Sequence, residues 1–222
     1  MHPYRLLDRR IPCKARSSRL AHGGAAALLL GGLLPLAGCW GGSTRVSAPS
    51  FSSQAAAGAA MEEYDVNRDG FIDAQELQRC PALAHGLKAI DKNRDKRIST
   101  DELAERLEEF AASSVGLVGI PCSVQLDGSP LQAAKVTLRP EKFMGESFKP
   151  ACGVSNDKGH VLLQTEGQDL PGTRWGYFQI EVSKTDAAGK ETLPQRYNTA
   201  TTLGQEVRPD RKEAIVLRLS SR

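Results

Sequence analysis

The chain has 222 residues, with 29 Lys and Arg against 26 Asp and Glu. The first 38 residues hold six of those bases and one of those acids, which leaves 23 bases and 25 acids and a net charge of −2 for the rest. The apparent basicity therefore belongs to the leader. No Arg/Lys stripe with interleaved aromatics remains, so nucleic-acid binding is excluded as a reading.

Residues 1–38 read as an export signal. Arg5, Arg9, Arg10, Lys14, Arg16 and Arg19 form a basic start, and Ala25 to Leu36 form an apolar run too short for a permanent span. The run ends in Leu36-Ala37-Gly38-Cys39. This resembles the lipobox of bacterial lipoproteins, which implies that Cys39 is lipidated, becomes the new N-terminus and ties the protein to a membrane. Trp40 stands where many inner-membrane lipoproteins carry aspartate, so the resemblance implies the outer membrane or cell surface. Residues 39–54, rich in Gly, Ser, Thr, Ala and Pro, are expected to be a flexible tether.

The most specific pattern lies in 55–112. In DVNRDGFIDAQE, Asp65, Asn67, Asp69 and Asp73 fall at positions one, three, five and nine of a twelve-residue loop, and Glu76 falls at position twelve. Phe71, at position seven, offers its backbone carbonyl. This is the spacing by which a loop wraps one hard divalent cation in oxygen, with Gly70 at the sharp turn of position six. A second copy, DKNRDKRISTDE, places Asp91, Asn93, Asp95, Arg97 (through its carbonyl), Ser99 and Glu102 at the same positions. Here Lys96 replaces the glycine, where positive φ costs a side chain about 1–2 kcal/mol. Arg94, Lys96 and Arg97 also put three cations in this loop, against Arg68 alone in the first. Loop two is therefore expected either to bind Ca2+ more weakly or to serve only as the empty companion of loop one. Ile72 and Ile98 share position eight, and Pro81 requires the helices between the loops to be short.

The region is similar to the EF-hand family, specifically to the compact tandem pairs of exported bacterial proteins, which implies Ca2+ as the bound ion. Met61, Leu77, Leu83, Leu87, Ile90, Leu103, Leu107 and Phe110 recur near helical spacing and predict a small shared core.

Residues 115–222 change to alternation. Ile120, Cys122, Val124 and Leu126 run into Asp127-Gly128; Val136 and Leu138 follow; Val161-Leu162-Leu163, then Tyr177, Ile180 and Val182, and finally Ile215 to Leu219 supply later strands. Six or seven short strands predict an antiparallel β-sandwich. The stretches LDGSPLQAAKVTLRPE, CGVSNDKGHVLLQT and PGTRWGYFQIEVS resemble the carboxypeptidase regulatory-like domain, which implies a transthyretin/Ig-like sandwich and no peptidase activity. Ser155-Asn156 stands where that family usually has Thr-Asp. The fold class expected is thus α+β and multidomain.

Nothing in the sequence argues for an enzyme. Past the leader the histidines are His85 and His160, in different expected domains, and no HExxH, P-loop or dinucleotide fingerprint occurs. Cys122 and Cys152 share the expected sandwich; they either bridge or are simply buried there. Cys80 has no evident partner. The expected function is calcium binding in a lipid-anchored cell-envelope protein whose sandwich is structural or recognises a protein or envelope-polymer partner. The alternative is an EF-hand docking module that recruits a partner protein. An exposed apolar face on the pair would favour docking, and a pair buried against the sandwich would favour structure.

Overall fold

The computed structural model describes residues 46–210 and 213–222. The export signal expected in 1–38 and the lipidation expected at Cys39 lie outside these residues. Helix α1, Ser53–Tyr64, starts where the Ser52 hydroxyl accepts the Ala55 N–H at 3.4 Å. Between Ser53 and Tyr64 its buried face is lined by Ala56, Ala57 and Ala60, so helix α3 (Thr100–Ala112) can pack closely against it. Between them lie β1 (Phe71–Ile72), a 3-10 turn (Glu76–Arg79), α2 (Pro81–Ile90) and β2 (Ile98–Ser99). Pro81 opens α2, where its missing N–H costs nothing. Strands β1 and β2 pair antiparallel with Ile72 opposite Ile98, so the two position-eight residues join the loops back to back. A reciprocal capping box between Ser99 and Glu102 starts α3.

The β-region contains β3 (Cys122–Leu126), β4 (Ser129–Pro130), β5 (Lys135–Pro140), β6 (Ala151–Val154), β7 (His160–Val161), β8 (Gln164–Thr165), β9 (Gly176–Ser183), β10 (Leu203–Val207) and β11 (Ile215–Leu219). They form a five-stranded sheet ordered β10-β9-β5-β6-β8 and a second sheet ordered β11-β3-β4, with β7 also on β3. Asp127 and Gly128, both at positive φ, close the β3–β4 hairpin as the sequence predicts. The architecture is helices followed by largely antiparallel sheets.

Four expectations are corrected. Strand β11 runs parallel to β3, so the sheets are not wholly antiparallel. Val161-Leu162-Leu163 is not one strand: β7 ends at Val161, Leu162 is exposed, and β8 begins at Gln164. Cys122, on β3 of one sheet, is a free buried thiol, so it has no bridge to Cys152, which lies on β6 of the other sheet. The tether does not extend to residue 54. From Val46 the chain lies on the β-region, because Phe51 inserts its ring 5.4 Å from Phe148 and 5.3 Å from Trp175, while the Ser47 and Ser50 carbonyls accept hydrogen bonds from Arg174 and Ser147.

Residues 46–222 form one compact unit with a continuous core. Phe110 of α3 lies 5.9 Å from Trp175 and 6.3 Å from Tyr177 of the large sheet, and Tyr64 of α1 lies 6.3 Å from Phe143. Helix α2 runs against β10. A Cβ at Gly204 would stand 2.1 Å from the Pro81 carbonyl carbon, so glycine is what allows this backbone approach.

Candidate metal centre

Each loop is organised by its own acids accepting backbone N–H groups. In loop one, Asp65 Oδ1 accepts from Asp69 N at 3.2 Å and Oδ2 from Gly70 N at 3.0 Å; Asn67 Oδ1 accepts from Asp69 N at 2.8 Å; Asp69 Oδ1 accepts from Phe71 N at 3.0 Å. Glu76 folds back from the end of the loop, its Oε1 accepting from Val66 N (2.7 Å) and Asn67 N (3.2 Å) and its Oε2 from Asp73 N (3.0 Å). Asp73 Oδ1 accepts from Gln75 N and Glu76 N at 2.8 and 3.0 Å, which starts the 3-10 turn. These bonds tie the side chains at positions one, three, five, nine and twelve to the backbone of the same loop. Phe71 lies in β1, opposite Ser99.

Loop two repeats the pattern except at position nine, where Ser99 accepts from Glu102 N alone and donates its hydroxyl to Glu102. Asp91 Oδ1 and Oδ2 accept from Asp95 N and Lys96 N at 3.1 and 2.9 Å, Asn93 Oδ1 from Asp95 N at 2.8 Å, and Asp95 Oδ1 from Arg97 N at 2.8 Å. Glu102 Oε1 accepts from Lys92 N and Asn93 N at 3.1 and 3.4 Å, and its Oε2 from Ser99 N and Ser99 Oγ at 3.0 and 2.8 Å. Position four is left-handed in both loops, at Arg68 (φ 60°) and Arg94 (φ 65°). Position six is left-handed as well: Gly70 has φ 87° and Lys96 φ 66°. Lys96 therefore carries the backbone strain that the sequence assigns to it.

Loop two also differs in a way the spacing does not reveal. The Arg97 guanidinium pairs with Asp95 Oδ2 at 3.2 Å and lies 3.9 Å above the Phe71 ring of loop one. Hydrogen bonding from Arg97 N, opposed by burial and reinforced by Asn93 and the Arg97 charge, holds the Asp95 carboxyl below its usual range. Burial works against the Glu102 anion, but bonds from Ser99, Asn93 and Lys92 outweigh it and lower that group too. One of the two Asp95 oxygens is thus already matched to a cation inside the protein. The only sequence signal for this was the Arg at position seven.

Among the described residues, no three His, Cys, Asp or Glu side chains converge as a ready-made metal cluster. The arrangement of the loops accounts for that, because their acid oxygens face backbone N–H groups, and Asn67, Asn93, Ser99 and two backbone carbonyls supply the rest of the donor set. All donors are oxygens, which fits a hard cation such as Ca2+. Of the two histidines, His85 is exposed on α2 and accepts the Glu206 N–H at 3.3 Å, and His160 is exposed on β7.

No curated protein matches the chain. Among solved structures it is similar to the major pilin subunit of Bacillus cereus, BcpA, in its D312A form, at 15% identity and a TM-score of 0.29 over 48% of this chain and 30% of that one. The chain thus spans under a third of that pilin's length. Residues 58–81 match the EF hand family model. That match spans every expected donor of loop one from Asp65 to Glu76, and it points to calcium binding.

Proposed function

We propose that the protein is a non-enzymatic, calcium-binding component of the bacterial envelope, tethered by lipid on Cys39, in which the EF-hand pair braces a ligand-recognising or structural β-domain. Asp65, Asn67, Asp69, Phe71, Asp73 and Glu76 hold the tighter ion. Asp91, Asn93, Asp95, Arg97, Ser99 and Glu102 hold a weaker one. The observation that carries the bracing role is the buried seam between helices and sheets. Helix α2 lies against β9 and β10, α3 packs on α1 and reaches the β-region through Phe110 on Trp175 and Tyr177, and Val66 is the one large apolar side chain of the pair to stand exposed among the described residues. A docking module would need such a face free. Envelope calcium saturates sites in the range of about 10⁻⁴–10⁻³ M, which suits a structural rather than a signalling ion.

Support for the anchor is the LAGC sequence directly after the apolar run, and support for the β-domain's kinship to carboxypeptidase regulatory-like modules is the wording of its strands and the two sheets around one core. Isothermal titration of the full chain with calcium tests the ion sites: Glu76→Gln is expected to abolish the tighter step, and retention of that step refutes the assignment. Metabolic labelling with a clickable fatty acid is expected to tag the wild type and leave Cys39→Ala untagged. Tagging of the variant refutes the anchor.

A further inference from the structure

A cavity of about 210 Å3 opens where the helical pair meets the large sheet, between the end of α1, the 3-10 turn after loop one, the end of β5 and the middle of β9. It is below the usual size of drug-like sites and suits a single small molecule. Two charges in its lining are left without a counter-ion. Glu141 is 3% exposed, yet its carboxylate meets only neutral donors: the Tyr64 hydroxyl at 3.0 Å, the Cys80 thiol at 3.4 Å and the Gln179 amide at 3.4 Å. Arg79 is exposed at the rim and, among the described residues, has no ion-pair or hydrogen-bond partner.

The other charged groups of the lining are matched. Lys142 Nζ pairs with Glu63 at 2.8 Å, and Arg139 meets Glu181 through two bonds of 2.9 and 2.8 Å. The cavity therefore offers one buried carboxylate with no cation in contact and one guanidinium with no anion in contact. A buried carboxylate without a cation is a standing cost, which an arriving ammonium removes. A guanidinium with free donors is suited to a carboxylate, which it grips through two bonds. A ligand bearing both groups on one small frame satisfies both residues at once.

We propose that this cavity binds a free α-amino acid, with its ammonium on Glu141 and its carboxylate on Arg79. The Gln179 amide and the Tyr64 hydroxyl orient Glu141 toward the ammonium. Tyr64 directly precedes Asp65, and Arg79 follows Glu76 by three residues, so two walls of the cavity continue from the ends of loop one. The assignment uses no calcium ligand and is tested with calcium saturating throughout.

Isothermal titration of the full chain with glycine, L-alanine, L-glutamate and L-lysine provides the test, with propionate and ethylamine as forms of alanine that lack one charge. At least one amino acid is expected to bind with Kd of about 1 mM or tighter. Arg79→Gln, at an exposed position that leaves the fold intact, is expected to weaken that binding about tenfold or more, as loss of a charge-assisted bond requires. Propionate and ethylamine are expected to bind at least about tenfold more weakly than alanine if alanine binds. Absence of binding by all four amino acids at about 10 mM overturns the proposal. So does an Arg79→Gln variant that binds as the wild type does, or propionate binding equal to that of alanine. A calcium titration of Arg79→Gln that matches the wild type separates any such failure from a failure of the ion sites.

Discussion

Arg106 of α3 and Glu206 of β10, 100 residues apart in the chain, form a 2.9 Å ion pair with their side chains 8% and 6% exposed. The Tyr177 hydroxyl donates to the same Glu206 oxygen at 3.0 Å, and the Glu206 N–H is donated to His85 Nδ1 on α2. Glu206 thus joins α3 and the neighbouring strand through its carboxylate and α2 through its backbone N–H. The Arg106 guanidinium also lies 4.7 Å above the Phe110 ring and pairs with Glu109 at 2.7 Å. Because the pair is desolvated, its value lies in mutual dependence: either charge left alone is far worse than neither.

Removing one partner is therefore expected to be severe. Arg106→Ala should lower stability by about 3–5 kcal/mol in urea unfolding, while Arg106→Met combined with Glu206→Leu should recover most of the loss. An Arg106→Ala variant within about 0.5 kcal/mol of the wild type would mean that the pair does not join helix to sheet.

The second seam carboxylate yields a pH dependence. Burial pushes the Glu141 carboxyl above its usual range and the Glu63 charge adds to this, while hydrogen bonds from Tyr64 and Cys80 and the Lys142 charge oppose it. A raised acid keeps its proton to higher pH in the folded chain than in the unfolded one. The folded state therefore loses stability as pH climbs from the ordinary carboxylate range through the raised value, and the loss is complete above it. Glu141→Gln keeps an acceptor for Tyr64 and cannot ionise. It should be at least as stable as the wild type at neutral pH, with its advantage shrinking in acid; an advantage that grows in acid would reverse the sign of this argument.

The two oxygen-rich loops were legible because their chemistry is written at fixed spacing. Twelve residues dictate where Asp65, Asn67, Asp69 and Glu76 fall, position eight names the Ile72–Ile98 pair, and position six marks Lys96 before its φ of 66° is seen. Pro81 likewise marked the helices between the loops as short, and it opens α2. The seam was not legible. Glu141 and Glu206 look like surface acids at strand ends, and only the docking of α1, α2 and α3 makes them buried. The same holds for Phe51, one aromatic in a Gly/Ser-rich stretch, whose burial depends on Phe148 and Trp175 far along the chain. Alternation in Ile215–Leu219 showed which side chains face inward, but strand direction is a matter of topology, and β11 runs parallel to β3.

Lys96 and Arg97 together explain why loop two should be the weaker site. Lys96→Gly removes a side chain from a left-handed backbone and deletes a cation, so it should tighten the weaker calcium step by about five- to thirtyfold from the backbone strain alone. Isothermal titration reads this directly, and an unchanged weaker step would show that strain at position six does not set the affinity.

The claim that calcium braces the β-domain is tested most directly by thermal unfolding of the full chain carrying Trp40→Phe, followed by emission of Trp175, which is fully buried at the centre of the seam. Helix content is followed in parallel by far-ultraviolet circular dichroism. The account predicts one shared transition by both signals, raised by calcium over chelator, with about 2.7 kcal/mol of added stability when free calcium is about a hundredfold above Kd. A Trp175 transition indifferent to calcium, beside a helical signal that shifts with it, would contradict the account and leave the helical region as an independent module.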